Sequence, residues 1–74
     1  MQQQTFSIQE NCGVYFLYKG NEKVVTPNGS ELWTKSQRLA KLMLAEAVDA
    51  GLRWDDWCTV ICFQSRYCDY YADQ

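Results

Sequence analysis

Four cysteines, Cys12, Cys58, Cys62 and Cys68, are the residues of this sequence best equipped for chemistry. Three fall in one stretch, Cys58-x3-Cys62-x5-Cys68. Structural zinc sites use closely paired knuckles, and this spacing does not supply them. On a helix, Cys58 and Cys62 are neighbours on the polar side, while Cys68 turns to the apolar face. One helix therefore does not aim all three at one ion. Thiol redox chemistry at Cys58 and Cys62 is the alternative, because a helix N-terminus lowers a thiol pKa, although no Cys-x-x-Cys is present. The plainer reading makes Cys68 a small core residue and the other two semi-exposed thiols.

Acid–base chemistry finds less support. Asp55-Asp56 is the one adjacent carboxylate pair, and neighbours on a helix do not face one another, so helix capping is its expected role. Histidine is absent, which removes the usual general base and the commonest metal ligand. Ser and Thr then lack the partner that activates a hydroxyl. The glycines stand singly, so no loop cradles phosphate. The expectation is a non-enzymatic protein with no catalytic residue, cofactor, metal or small-molecule substrate.

The chain has 74 residues, room for one domain. Its 47% apolar and 15% aromatic content argues against disorder. A net charge of −2, with the basic residues scattered, disfavours nucleic acid. Met1-Gln2-Gln3-Gln4-Thr5 lacks the basic start and apolar run of a signal peptide, and no stretch suits a membrane helix. The expected setting is cytoplasmic and reducing, with the cysteines as thiols.

The elements that position these residues follow from pattern. Residues 1–13 read as a polar N-terminal segment with room for a short strand at Phe6-Ile8, and residues 14–74 as a single α+β domain. Val14–Tyr18, Lys23–Thr26 and Glu31–Trp33 read as strands of an antiparallel meander. Gly20-Asn21 makes the first turn, with Lys19 opposite Glu22, and Pro27-Asn28-Gly29 the second. That register puts Tyr15, Leu17, Val24, Thr26 and Leu32 on one face and Val14, Phe16, Tyr18, Val25 and Trp33 on the other.

A first helix is expected from Thr34, capped by Thr34 with Gln37, and ended by Gly51 in the left-handed conformation. Its basic residues lie near the N-terminus and its acidic ones near the C-terminus, against the dipole and with no local account. A second helix is expected over Trp57–Asp73, capped by Asp55 or Asp56. Its apolar face holds Trp57, Val60, Ile61, Phe63, Tyr67, Cys68, Tyr70 and Tyr71, opposite Thr59, Ser65, Arg66, Asp69 and Asp73. The overall order is three strands followed by two helices packed on the sheet.

For Trp57, Val60 and Ile61 core packing is the expected role. Even so, two half-apolar helices and a two-sided apolar sheet offer more apolar area than a core this small usually hides. Trp54, Trp57, Tyr67, Tyr70 and Tyr71 are therefore the candidate interaction residues, for a protein partner or a homo-oligomer.

Gly13, Gly20, Thr26-Pro27, Gly29, Leu32, Leu39-Ala40, Glu46 and Gly51 resemble the N-terminal meander and helix of the ATP synthase assembly chaperones that receive the alpha subunit. The likeness covers about residues 8–56 and only the small first domain of those longer proteins. Lys35 stands where that family usually has proline, and Ala47 where it tends to have tryptophan. The resemblance implies the same hairpin, Thr-Pro-x-Gly turn and Leu-Ala-rich helix, and a chaperone-like assembly role. It transfers no functional residue.

Overall fold

Two tight turns organise the sheet of the computed structural model, which describes residues 5–72. Strand β1 (Phe6–Asn11) and strand β2 (Val14–Lys19) pair antiparallel along their whole length, from Phe6 opposite Lys19 to Asn11 opposite Val14. Only Cys12 and Gly13 are left to turn the chain, and both have positive φ, 55° and 82°. Two positive φ values are what a type I′ hairpin turn needs to match strand twist. Gly13 adopts this freely, whereas Cys12 does so against its Cβ. The expected short strand at Phe6-Ile8 is thus longer, and that segment belongs to the sheet.

Lys19 does oppose Glu22 across Gly20-Asn21, as the sequence pattern predicts. The third lane is broken, however. Strand β3 (Glu22–Lys23) pairs with one end of β2, and strand β4 (Trp33–Thr34) pairs with the other end of the same edge. Between them the chain makes an excursion, closed by a bridge between Val25 and Glu31 and by the Lys23–Glu31 ion pair at 3.0 Å. Its tip is the expected Pro27-Asn28-Gly29 turn, in which Gly29 N donates to Thr26 O at 2.8 Å.

Helix α1 (Gln37–Ala50) starts later than expected. Its cap is Ser36, whose Oγ accepts from Leu39 N at 3.2 Å. Thr34 is instead held in β4 opposite Tyr15, buried, with its own Oγ1 accepting from Ser36 N. The helix ends at Gly51, with φ 78° and ψ −171°. That is not the left-handed helical conformation but an extended mirror region open essentially to glycine alone.

Helix α2 (Val60–Ala72) also begins later than expected, and by a different device. Thr59 Oγ1 accepts from Cys62 N at 3.2 Å. Glu46, reaching across from α1, accepts from Val60 N and Ile61 N, both at 2.9 Å. Three amides that a helix start leaves unpaired are thereby satisfied. Asp56 acts one step earlier, accepting from Cys58 N in the preceding turn. An acidic residue that works against the dipole of its own helix thus serves the positive end of the next one. Asp73 lies outside the described residues.

The architecture is the expected α+β order, an antiparallel sheet followed by two helices. Its core joins Leu17, Val24 and Leu32 from the sheet region to Met43 and Ala47 of α1 and Ile61 and Cys68 of α2. A second lock ties the excursion to α2. Thr26 Oγ1 donates to Asp69 Oδ1 at 2.6 Å, and Asn28 Nδ2 donates to Asp69 Oδ2 at 3.0 Å.

Candidate functional site

The orientation of α2 decides what the molecule displays. Its buried residues are Ile61, Cys62, Gln64, Ser65 and Cys68. Ile61, Gln64, Ser65 and Cys68 form an i, i+3, i+4, i+7 seam, the spacing of a packed helix face, but of mostly small or polar residues. Ser65, expected on the outer face, is therefore inside, and Cys62, expected to be semi-exposed, is fully buried.

Hydrogen bonding explains the choice. The backbone of Trp33 needs polar partners, and α2 supplies them. Gln64 Nε2 donates to Trp33 O at 2.7 Å, while Cys68 Sγ accepts from Trp33 N at 3.4 Å and donates to Trp33 O at 3.3 Å. Ser65 Oγ donates to Cys62 O at 2.7 Å. A buried carbonyl left without a donor costs about 1–3 kcal/mol, similar to the gain from hiding one large apolar side chain. The several bonds made by Gln64, Cys68 and Ser65 therefore weigh together against turning the rings inward. Burial raises the Cys68 thiol above its ordinary value of 9.0, against the opposing bonds to Trp33 and Gln64.

With the small seam inward, the rings face out. Trp57 is 72% exposed, Phe63 70%, Tyr70 64%, Tyr71 49% and Tyr67 44%. Tyr67 and Tyr71 stack at a tilt with centroids 4.7 Å apart, and both meet the Trp33 ring edge-on, at 5.8 and 6.1 Å. Tyr70 touches Tyr71 edge-on at 5.6 Å. These are the geometries in which aromatic quadrupoles attract. The interaction with the Tyr71 hydroxyl, helped by burial, holds the Tyr67 phenol above its ordinary 10.0.

The rings wall a cleft of about 420 Å³ between the start of α1 and α2, lined by Trp33, Lys35, Leu39, Phe63, Tyr67 and Tyr71. Across the Phe63–Tyr67 ridge lies a second hollow of about 310 Å³, bounded by Trp57, Cys62 and Arg66. The Arg66 guanidinium sits 3.5 Å above the Trp57 ring centroid, a cation–π contact.

Of the five expected interaction residues, Tyr67, Tyr70 and Tyr71 form one contiguous cluster, and Trp57 lies beyond the ridge. Trp57 is not the core residue expected, because it precedes α2 in the connecting loop, outside the packed seam. Trp54 is half-buried and packs against the core. Trp33 and Phe63 complete the site and were not among those five. The Phe63-x3-Tyr67-x3-Tyr71 spacing marks a single helix stripe and could have identified Phe63.

Cys58 is exposed in the loop and Cys62 is buried in the helix, so they do not form the paired surface thiols expected of them. Among the described residues no cluster of three His, Cys, Asp or Glu side chains is arranged to hold a metal, and no helix is long and apolar enough to cross a membrane. Comparison with protein-family models, with curated proteins and with solved structures finds no match for this chain.

Proposed function

We propose that this chain is a non-enzymatic protein-interaction module that docks another protein, or a second copy of itself, through the aromatic face of α2 and β4. One observation carries the reading: Phe63, Tyr67 and Tyr71 lie on the exposed side of a helix whose buried seam is made mostly of smaller or more polar side chains. Aromatic side chains in a shallow cleft are the usual anchors of interfaces, and exposing them earns nothing for an isolated fold. A chaperone-like assembly factor is a sharper form of this reading, supported by the sequence resemblance. The exposed thiols Cys12 and Cys58 suit a reducing setting such as the cytoplasm.

The test is capture from native lysate with the wild-type chain and a Phe63→Ser, Tyr67→Ser double variant, beside light scattering of each over a concentration series. The reading predicts a discrete bound protein or a concentration-dependent oligomer for wild type, and neither for the variant. Identical behaviour of the two proteins contradicts it.

A further inference from the structure

The charges around the aromatic cleft define what it accepts. The charged side chains lining the cleft and the adjoining hollow are Lys35 and Arg66, both cationic, in a chain whose net charge is −2. Among the described residues neither has an ion-pair partner, and Arg66 rests on an aromatic ring instead. The amino end of α1 opens onto the same cleft through Thr34, Lys35 and Ser36, with no acidic residue in its first turn and the exposed Arg38 beside it. The dipole and these cations add in one direction. Of the carboxylates on the two helices, Glu46 holds the start of α2 and Asp69 holds Thr26 and Asn28. Asp49 of α1, and Asp55 and Asp56 of the loop preceding α2, lie outside the linings of both hollows.

We infer that the cleft receives an acidic amphipathic helical segment of a partner protein. Resting on the docking reading above, this assigns apolar side chains spaced i, i+4 to the two hollows on either side of the Phe63–Tyr67 ridge. Asp or Glu on the flanks of the segment then meet Lys35 and Arg66. Helix-in-groove recognition works through such anchors, and rim charges set partner choice and association rate. A second copy fits less well, because a two-fold contact across this face brings the same cationic rim against itself. Nucleic acid fits less well too, since two cations on an acidic chain neutralise little of a phosphate backbone.

Tryptophan emission reports the experiment. The full chain is titrated with a synthetic helical peptide carrying Leu and Phe at i, i+4 and Glu on both flanks, with its Lys-flanked twin, and with a single-stranded oligonucleotide. The acidic peptide binds most tightly and weakens as salt is added. A Lys35→Glu, Arg66→Glu variant loses about ten-fold in affinity for it and gains for the basic twin. A Lys35→Gln, Arg66→Gln variant, checked for fold by circular dichroism, falls between. Equal or tighter binding of the basic twin or the oligonucleotide, binding of neither peptide, or dimerisation through this face overturns the inference. The docking reading stands or falls separately, on the Phe63→Ser, Tyr67→Ser comparison.

Discussion

Glu46 and Ile61 are 15 residues apart in the chain, yet the Glu46 carboxylate accepts from the Ile61 amide at 2.9 Å. The same carboxylate takes the Val60 amide through its other oxygen, so one side chain of α1 fixes where α2 begins. Charge-assisted bonds to otherwise orphaned amides are stronger than neutral ones.

Glu46→Ala is expected to destabilise the fold by about 2 kcal/mol, lowering the melting temperature by roughly 10 °C in a chain this small. Glu46→Gln recovers part of the loss, since its amide oxygen still accepts one bond. Thermal melts followed by circular dichroism decide the matter, and an unchanged melting temperature for Glu46→Ala removes the capping role.

Asp69 fastens the excursion between β3 and β4 to α2 through Thr26, whose hydroxyl is almost fully buried. Thr26→Val and Asp69→Ala should each cost about 1–3 kcal/mol, and the double variant much less than their sum. Urea unfolding of the three variants measures the coupling. Simple additivity would show the two side chains acting independently.

Alkaline stability should depend on Cys68. Its folded pKa is raised, chiefly by burial, from the ordinary 9.0. Below that value both states hold the proton and stability is undiminished. As pH rises above it the unfolded thiol ionises first, and stability falls until the native pKa is passed. Lys23, raised by its hydrogen bond to Glu31, adds a loss of the same sign at higher pH. Cys68→Ala is expected to start less stable but to decline less steeply above about pH 9. A slope equal to that of wild type in pH-dependent urea melts contradicts this.

Cys12 carries φ 55° in the β1–β2 turn. Asparagine tolerates that conformation better and commonly precedes glycine in type I′ turns. Cys12→Asn should therefore gain about 0.5 kcal/mol, read as a higher urea midpoint at unchanged slope. A lower midpoint would assign Cys12 a contact beyond the turn.

The sequence carried the Gly20-Asn21 and Pro27-Asn28-Gly29 turns, the Lys19–Glu22 register and the apolar strand face, because glycine placement and a period of two are local signals. It did not carry the Cys12-Gly13 turn, whose first residue is no usual turn former. Interactions between distant residues were not legible. Thr34 looked like a helix cap until its pairing with Tyr15 drew it into a strand. Hydropathy alone turns Phe63 and Tyr67 of the second helix toward the core. What turns α2 the other way is the need of the Trp33 backbone for Gln64 and Cys68, a demand set by tertiary contact alone. The aromatic surplus was visible in composition, but the side of the helix that carries it was not.

The central claim is that the outward rings of α2 serve a partner and not the fold. Urea unfolding of the Phe63→Ser, Tyr67→Ser variant tests it most directly, since exposed side chains contribute little to stability and core aromatics contribute several kcal/mol each. The account predicts a loss of no more than about 2 kcal/mol, most of it from the Tyr67 contacts with Trp33 and Tyr71. A loss of about 3 kcal/mol or more would place those rings in the core and contradict it.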